Sequence, residues 1–254
     1  MDVALFVTCL ADTFYPRTGI AVVKVLERLG CTVHFPEAQT CCGQPMWNTG
    51  YAPETRNLAR GLIDTFEAYD TIVTPSGSCA AMIREYYPEV FEEDDPYHDR
   101  AARLAGRTWE FVEFLVNGLM VDLRDYDVRW EGEATYHYSC HLRSIGLTDE
   151  ATRLMEQIAG LTVKPLEKSD QCCGFGGTFA LKYPQMSGSM ARDKVDCIER
   201  SGATTLVSND AGCTMNIAGM INRQGVSMGI KSLPEIIAEG MGLMERDRGN
   251  SKTA

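Results

Sequence analysis

The sequence predicts an α/β fold made of two tandem copies of one unit, each a parallel sheet with helices on its faces. Three observations carry that prediction. A cysteine pattern recurs: Cys9 is followed after 31 residues by Cys41-Cys42-Gly43, and Cys140 after 31 residues by Cys172-Cys173-Gly174. One more cysteine closes each set, Cys79 after 36 residues and Cys213 after 39, so the offsets between halves are 131, 131, 131 and 134. The flanks recur too. Gly30-Cys31-Thr32-Val33 matches Gly160-Leu161-Thr162-Val163, Ala59-Arg60 matches Ala191-Arg192, and Ile72-Val73-Thr74 matches Leu206-Val207-Ser208. Finally, short apolar runs alternate with helix-length segments in both halves, the pattern of strand–helix–strand units.

The elements follow in order. Val3–Thr8 is an apolar run too short to span a membrane and has no basic residues before it, so it reads as a strand and not as a signal peptide. Gly19–Leu29 reads as a helix ended by Gly30, Thr32–Phe35 as a strand, Arg56–Tyr69 as a helix and Thr71–Thr74 as a strand. Ala80–Tyr87 reads as a helix closed by Pro88, because proline breaks the interior hydrogen-bond ladder. Glu92-Glu93-Asp94-Asp95-Pro96 reads as a solvated loop and Asp99–Met120 as a helix, with Asp122–Gly132 linking the halves. The second half repeats the order: strand Thr135–Ser139, helix Glu150–Ala159, strand Thr162–Lys164, helix Ser189–Arg200, strand Thr204–Ser208 and helix Thr214–Arg223. The expected domains are 1–125 and 130–246, with a polar, disordered tail over 247–254.

Composition narrows the function classes. Hydrophobic content of 44% and charged content of 23% are those of an ordinary globular chain, and no apolar run is long enough for a membrane span. A net charge of −11 argues against nucleic acid and anionic lipid as partners. The 10 cysteines are the outlier. In a reducing cytoplasm such a count points to metal or redox chemistry rather than to disulfides, and adjacent cysteines close a disulfide only through a strained ring. Four histidines are too few and too scattered to dominate a metal site, so the expected ligands are thiolates.

Cys9 and Cys140 follow apolar strands, at the end of a parallel sheet where ligands bind. Cys79 and Cys213 begin helices, where free N–H groups and the helix dipole favour a thiolate. Cys41-Cys42 and Cys172-Cys173 sit on loops with Gly43 and Gly174, which let backbone approach a bulky ligand. Each half thus sends four thiols to one end of its sheet, a donor set suited to an iron–sulfur cluster or to structural zinc. Cys31 and Cys197 do not recur and read as core residues.

With these residues in view, the chain resembles the lactate utilization protein A family. That family is a pair of cysteine-rich CCG domains, a unit also found in the catalytic subunit of heterodisulfide reductase and in the iron–sulfur subunit of glycolate oxidase. The wording that carries the resemblance is Leu5-Phe6-Val7-Thr8-Cys9-Leu10, Cys41-Cys42-Gly43-Gln44-Pro45, Pro75-Ser76-Gly77-Ser78-Cys79, Ser139-Cys140-His141-Leu142-Arg143 and Cys172-Cys173-Gly174-Phe175-Gly176-Gly177-Thr178-Phe179. It spans about residues 2 to 244. The resemblance implies a cytoplasmic iron–sulfur oxidoreductase subunit, 4Fe–4S in type, in the oxidation of L-lactate to pyruvate. It also implies a ferredoxin-type iron–sulfur partner and a third lactate-utilization protein. One departure stands out. The heterodisulfide reductase chain closes each set with Cys-x-x-Cys, whereas here Cys79-Ala80-Ala81-Met82 and Cys213-Thr214-Met215-Asn216 lack the fifth cysteine. A heterodisulfide-type reductase and a zinc-stabilised, non-redox scaffold are the competing readings.

Secondary candidates have alternatives. His141, next to Cys140, could donate to a cluster sulfur or serve its own loop. Gly176 and Gly177 could cradle a ligand with backbone N–H groups or form a plain turn. Trp47 and Tyr51 could line a surface or the core, and Tyr51 recurs as Tyr183, which favours a structural task. Met186, Met190, Met215, Met220 and Met228 read as core filler. No catalytic residue is assigned: no acid–base pair stands out, nor any flavin or nicotinamide motif.

Overall fold

In the computed structural model, which describes residues 1–246, the chain forms two four-stranded sheets. The first holds β1 (Asp2–Leu5), β2 (Thr32–His34), β3 (Ile72–Thr74) and β4 (Thr108–Glu110), in the order β2-β1-β3-β4. The second holds β5 (Arg129–Tyr136), β6 (Ala159–Val163), β7 (Thr205–Val207) and β8 (Gly229–Lys231), in the order β6-β5-β7-β8. Every pairing is parallel. The predicted duplicated α/β architecture is therefore the observed one. In each sheet the strand order reverses beside the first strand, which opens a crevice at the strands' carboxyl ends.

Local chemistry shapes the helices that flank these sheets. Pro16 opens helix Pro16–Arg28, where its missing N–H costs nothing, and Thr18, Ala21, Val22, Val25 and Leu26 fall on one buried face. That face is covered by the other half: Pro16–Arg28 packs on Leu233–Gly240, and Phe111–Glu113 on Glu150–Met155. Gly77–Ala81 meets Cys140–Ser144, and Cys9–Phe14 meets Ala211–Gln224. Each contact joins an element of one half to the other half by an approximate two-fold relation. Leu5, Val25 and Phe111 accordingly share one apolar core with Tyr136, Leu154 and Ile237. Each half keeps a smaller core of its own, around Phe6, Leu62 and Phe66 in the first and Val195, Leu206 and Ile217 in the second. At about 1.5–3 kcal/mol for each large apolar side chain removed from water, the shared core binds the halves into one body.

Several elements depart from expectation. The segment 99–120 is not one helix: a helix over His98–Ala105 ends at Gly106, β4 follows, and Phe111–Glu113 resumes helix into a π-turn over Phe114–Gly118. Trp109, Phe111 and Phe114 mimic a helical stripe, but parallel pairing of Ile72 to Thr74 with Thr108 to Glu110 claims the backbone. β8 and helix Leu233–Gly240 answer to the same need in the second half and carry almost no strand signal in sequence. β5 begins at Arg129, inside the expected linker, and stops before Tyr138. Pro88 does not close its helix. The Tyr87 N–H bonds back to the Met82 carbonyl in a π-turn over Met82–Tyr86, and helix continues over Tyr87–Val90 with the proline in its first turn. Met186 is exposed and is not core filler, whereas Met220 is buried. The tail expected to be disordered, 247–254, lies outside the described residues.

Candidate functional site

The strand ends place the thiols. Cys9 is the first residue of helix Cys9–Phe14 after β1, and Cys140 the first of helix Cys140–Ser144 after β5. Cys79 and Cys213 lie in the opening turns of the helices after β3 and β7. Their N–H groups are received by N-cap side chains, Ser76 Oγ at 3.4 Å and Asp210 Oδ1 at 3.3 Å. The Cys-Cys loops turn at Gly43 (φ +87°) and Gly174 (φ +82°), a left-handed conformation that glycine adopts without strain.

The two inner thiols of each set are in contact. Cys42 Sγ lies 3.3 Å from Cys79 Sγ, and Cys173 Sγ lies 3.0 Å from Cys213 Sγ. Cys41 lies near both Cys42 and Cys9, and Cys172 near both Cys173 and Cys140, close enough for each to shift the other's ionisation. The burial gradient is the same in both halves, with Cys42, Cys79, Cys173 and Cys213 buried and the other four nearer the rim. Bonds from Cys42 and Cys9 hold the Cys41 thiol down to about 3, and bonds from Cys140 and Cys173 hold Cys172 down to about 2. The donors Cys9, Cys42, Cys140 and Cys173 are pushed up by the same bonds and by burial. The bond from Cys173 lowers Cys213, but burial together with the Asp210 and Cys172 charges raises it. One thiolate per set thus forms readily, and its negative charge resists the next. Four thiolates in so small a volume need a cation among them. The donor chemistry therefore fits a thiolate-bound metal or cluster held by Cys9, Cys41, Cys42 and Cys79 in one half and Cys140, Cys172, Cys173 and Cys213 in the other.

The two sets face each other across the joint between the halves. Asp210 bridges them: while one oxygen caps Cys213, the other accepts from Ser78 N (3.0 Å) and Ser76 Oγ (3.3 Å) in the first half. Gln44, next to the first loop, donates to the Ser78 carbonyl at 3.1 Å and lies 3.2 Å from His141 Nε2. Thr49 meets Thr178 at 2.9 Å.

The secondary candidates resolve differently. His141 Nδ1 lies 3.6 Å from Cys140 Sγ, so it flanks the second set at its rim. The N–H groups that reach sulfur belong to Gly174 (3.3 Å to Cys172) and Phe175 (3.5 Å to Cys173). Gly176 and Gly177, both at positive φ, shape the turn into helix Thr178–Lys182. Trp47 packs against Tyr86. Tyr51 and Tyr183 are exposed and recur because each stands at the start of a long helix, its carbonyl accepting from Thr55 N and Ser187 N. Cys31 and Cys197 are buried in the core, as expected. A cavity of about 850 Å³ between the halves, lined by Tyr15, Arg17, Trp130, Asn209 and Lys231, includes none of the cysteines.

Sequence reasoning passed over His137. It is 1% exposed, and one of its ring nitrogens, Cys173 Sγ and Cys213 Sγ all lie within 4.8 Å of one another. Neither ring nitrogen has a hydrogen-bond partner among the described residues. Leaving a buried polar group unsatisfied costs about 1–3 kcal/mol. Burial also depresses the imidazole to about 4, so it is neutral at physiological pH. The repeat held the signal. Offset by 131, His137 falls on Phe6. Lys194 is a second such case: wholly buried, its Nζ donates to the Lys168 carbonyl at 2.8 Å, and an offset of 132 sets it on Leu62.

A family model described as a cysteine-rich domain, CCG, matches this chain twice, at residues 3–84 and 134–218. Lactate utilization protein A of Anoxybacillus flavithermus is 48% identical over 93% of this chain and 99% of that relative. Proteins of the same name from Shouchella clausii and Bacillus licheniformis are 47% and 44% identical over 93% of this chain and 98% and 99% of theirs.

Proposed function

This chain belongs to the lactate utilization protein A family, built from two CCG cysteine-rich domains, and on that footing we propose that it is an iron–sulfur oxidoreductase subunit of a system that oxidises L-lactate to pyruvate. The observation that carries the reading is the pair of four-thiol sets, matched in spacing and burial, at the carboxyl ends of two sheets whose thiol-bearing helices meet. When bound, a four-cysteine iron–sulfur cluster, of 4Fe–4S type in this reading, supplies one-electron transfer. The chain's own part is to hold and insulate. The inner thiols are shut off from water by the apolar cores, the outer ones stay near the surface, and Asp210 ties the two thiol-bearing helices into one frame. Oxidation of lactate also releases two protons, and no residue beside the thiols is assigned as the base, so the carbon chemistry falls to a cluster or to a partner. The partners in this reading are a ferredoxin-type iron–sulfur protein and a third lactate-utilization protein, in the cytoplasm.

Sulfur spacing favours a second reading. Two thiolates on one tetrahedral zinc, each at about 2.3 Å, lie about 3.7 Å apart. The 3.3 Å and 3.0 Å separations are close to that. Anaerobic purification followed by iron, sulfide and zinc analysis, with EPR of the reduced protein, separates the two. Iron with sulfide and a reduced-state EPR signal is the expected result. Zinc without iron would overturn the redox reading and make the chain a scaffold.

A further inference from the structure

We infer that His137 is a nitrogen ligand of the second centre, which is therefore a mixed nitrogen–sulfur site, while the first is held by sulfur alone. The inference rests on the reading that the thiols hold a metal or cluster, and adds which atoms do so. Four observations meet in it. The imidazole stands among the two innermost thiols of the second set, all three groups within 4.8 Å. It is buried, and both nitrogens lack a partner among the described residues. Its place is fixed by the sheet, because its backbone N–H donates to the Val207 carbonyl at 2.9 Å just beyond the last residue of β5. And the equivalent residue of the first half, Phe6, does what an apolar residue does there, packing edge-on against Phe66 at 5.8 Å.

A neutral imidazole held beside thiolates is a good donor to zinc and to iron. It also explains why an imidazole stands where the first half has a phenyl ring, in a pocket where it finds no hydrogen bond among the described residues. The second set lacks a fifth cysteine after Cys213, and His137 provides a fifth donor from the strand side.

The test uses the full chain, reconstituted anaerobically with ferrous iron and sulfide, and labelled selectively with 15N-histidine. Electron spin echo modulation of the reduced protein should show a nitrogen coupling that changes with the label. The coupling should persist in His141→Ala and vanish in His137→Phe, which copies the first half and should keep its cysteine-bound iron. Absence of a histidine coupling in the unmodified protein, its survival in His137→Phe, or its loss in His141→Ala would each overturn the assignment. If His137→Phe fails to fold, the labelled unmodified protein and His141→Ala together decide the matter. Should the chain take zinc instead, zinc K-edge absorption is expected to resolve a nitrogen at about 2.0 Å among sulfurs at about 2.3 Å, and sulfur alone would refute the proposal. Uptake of neither metal would sink the metal-centre reading and this one with it. A metal bound only by sulfur would sink this one alone.

Discussion

Phe6 and His137 occupy the same point of the duplicated unit, three residues before the first cysteine, yet one packs against a phenylalanine and the other faces two thiols. Around them the contrast continues. Leu62 in the first core corresponds to the buried Lys194, and the N-cap Ser76 to Asp210. The carbonyl of the buried cysteine in each pair is satisfied differently, by Tyr87 Oη at Cys42 (2.9 Å) and by Asn216 Nδ2 at Cys173 (2.8 Å). The backbone frame and the thiols are thus duplicated, while the lining is not. In the first set Phe6 and Leu62 share an apolar core with Cys42 and Cys79, beside polar contacts from Ser76 and Tyr87. The second is surrounded by groups that hydrogen-bond or carry charge. Duplication keeps what positions four donors and leaves free what tunes them, because strand order and glycine turns depend on backbone, whereas the dielectric around a sulfur depends on a few side chains.

The largest effect should come from breaking one set at a time. Cys42→Ala and Cys173→Ala should each abolish one centre and lower bound metal by about half, leaving the other centre's spectrum unchanged. Unchanged metal content in either variant would show the ligand assignment to be wrong.

The pH response should divide the halves next. Glu110 and Ser232 cap equivalent helices, each in a capping box. Glu110 is fully buried, and burial raises it from 4.5 to about 7. Its folded state holds a proton that the unfolded chain has released, so this contribution is intact below pH 4.5 and lost as pH rises to about 7, amounting to about 3 kcal/mol. His137 acts in the opposite direction. Burial lowers it from 6.5 to about 4, so in metal-free protein its contribution is intact above pH 6.5 and lost as pH falls to about 4, again about 3 kcal/mol. Urea titrations of metal-free protein across pH 4–7 should show Glu110→Ser gaining stability with rising pH and His137→Phe losing it, each relative to the unmodified chain. Parallel curves for the two variants would mean that neither group is held as described.

The glycine turns sharpen the comparison on a smaller scale. Alanine at Gly43 meets side-chain atoms no nearer than 3.5 Å and carries only the left-handed strain, about 1–2 kcal/mol. Alanine at Gly174 would also lie 2.8 Å from the Ser187 carbonyl oxygen and 2.9 Å from Met190 Cβ. Thermal unfolding should therefore find Gly174→Ala worse than Gly43→Ala by about 1–3 kcal/mol, and equal losses would contradict the tighter packing of the second loop. The smallest change should follow Lys194→Leu, which copies the first core. Loss of one hydrogen bond against gain of apolar burial leaves stability within about 1 kcal/mol, and a collapse on calorimetry would show that the amine does more than satisfy the Lys168 carbonyl.

Much of this was legible in the chain itself. Matched cysteine spacing and recurring flanks disclose the duplication, and short apolar runs between helical segments disclose a parallel sheet, because both are periodic and local. The four-thiol sets follow, since residues just beyond parallel strands converge at one end of the sheet. β4 and β8 escaped because three-residue strands have no periodicity to read. Their identity rests on pairing with β3 and β7. The π-turn before Pro88 escaped because it depends on a hydrogen bond that skips one residue. His137 was hidden in plain view, since a lone histidine in a strand reads as filler until its partners, 36 and 76 positions away, are folded beside it. Sequence alone determined the repeat, the sheet class and the two matched sets of four thiols, all set by order along the chain. Only the tertiary structure decided how the halves exchange helices across a shared core, that Asp210 spans both thiol sets, and that the two sets have unlike linings. Those features depend on which surfaces meet once apolar area is buried, and no local pattern encodes that meeting.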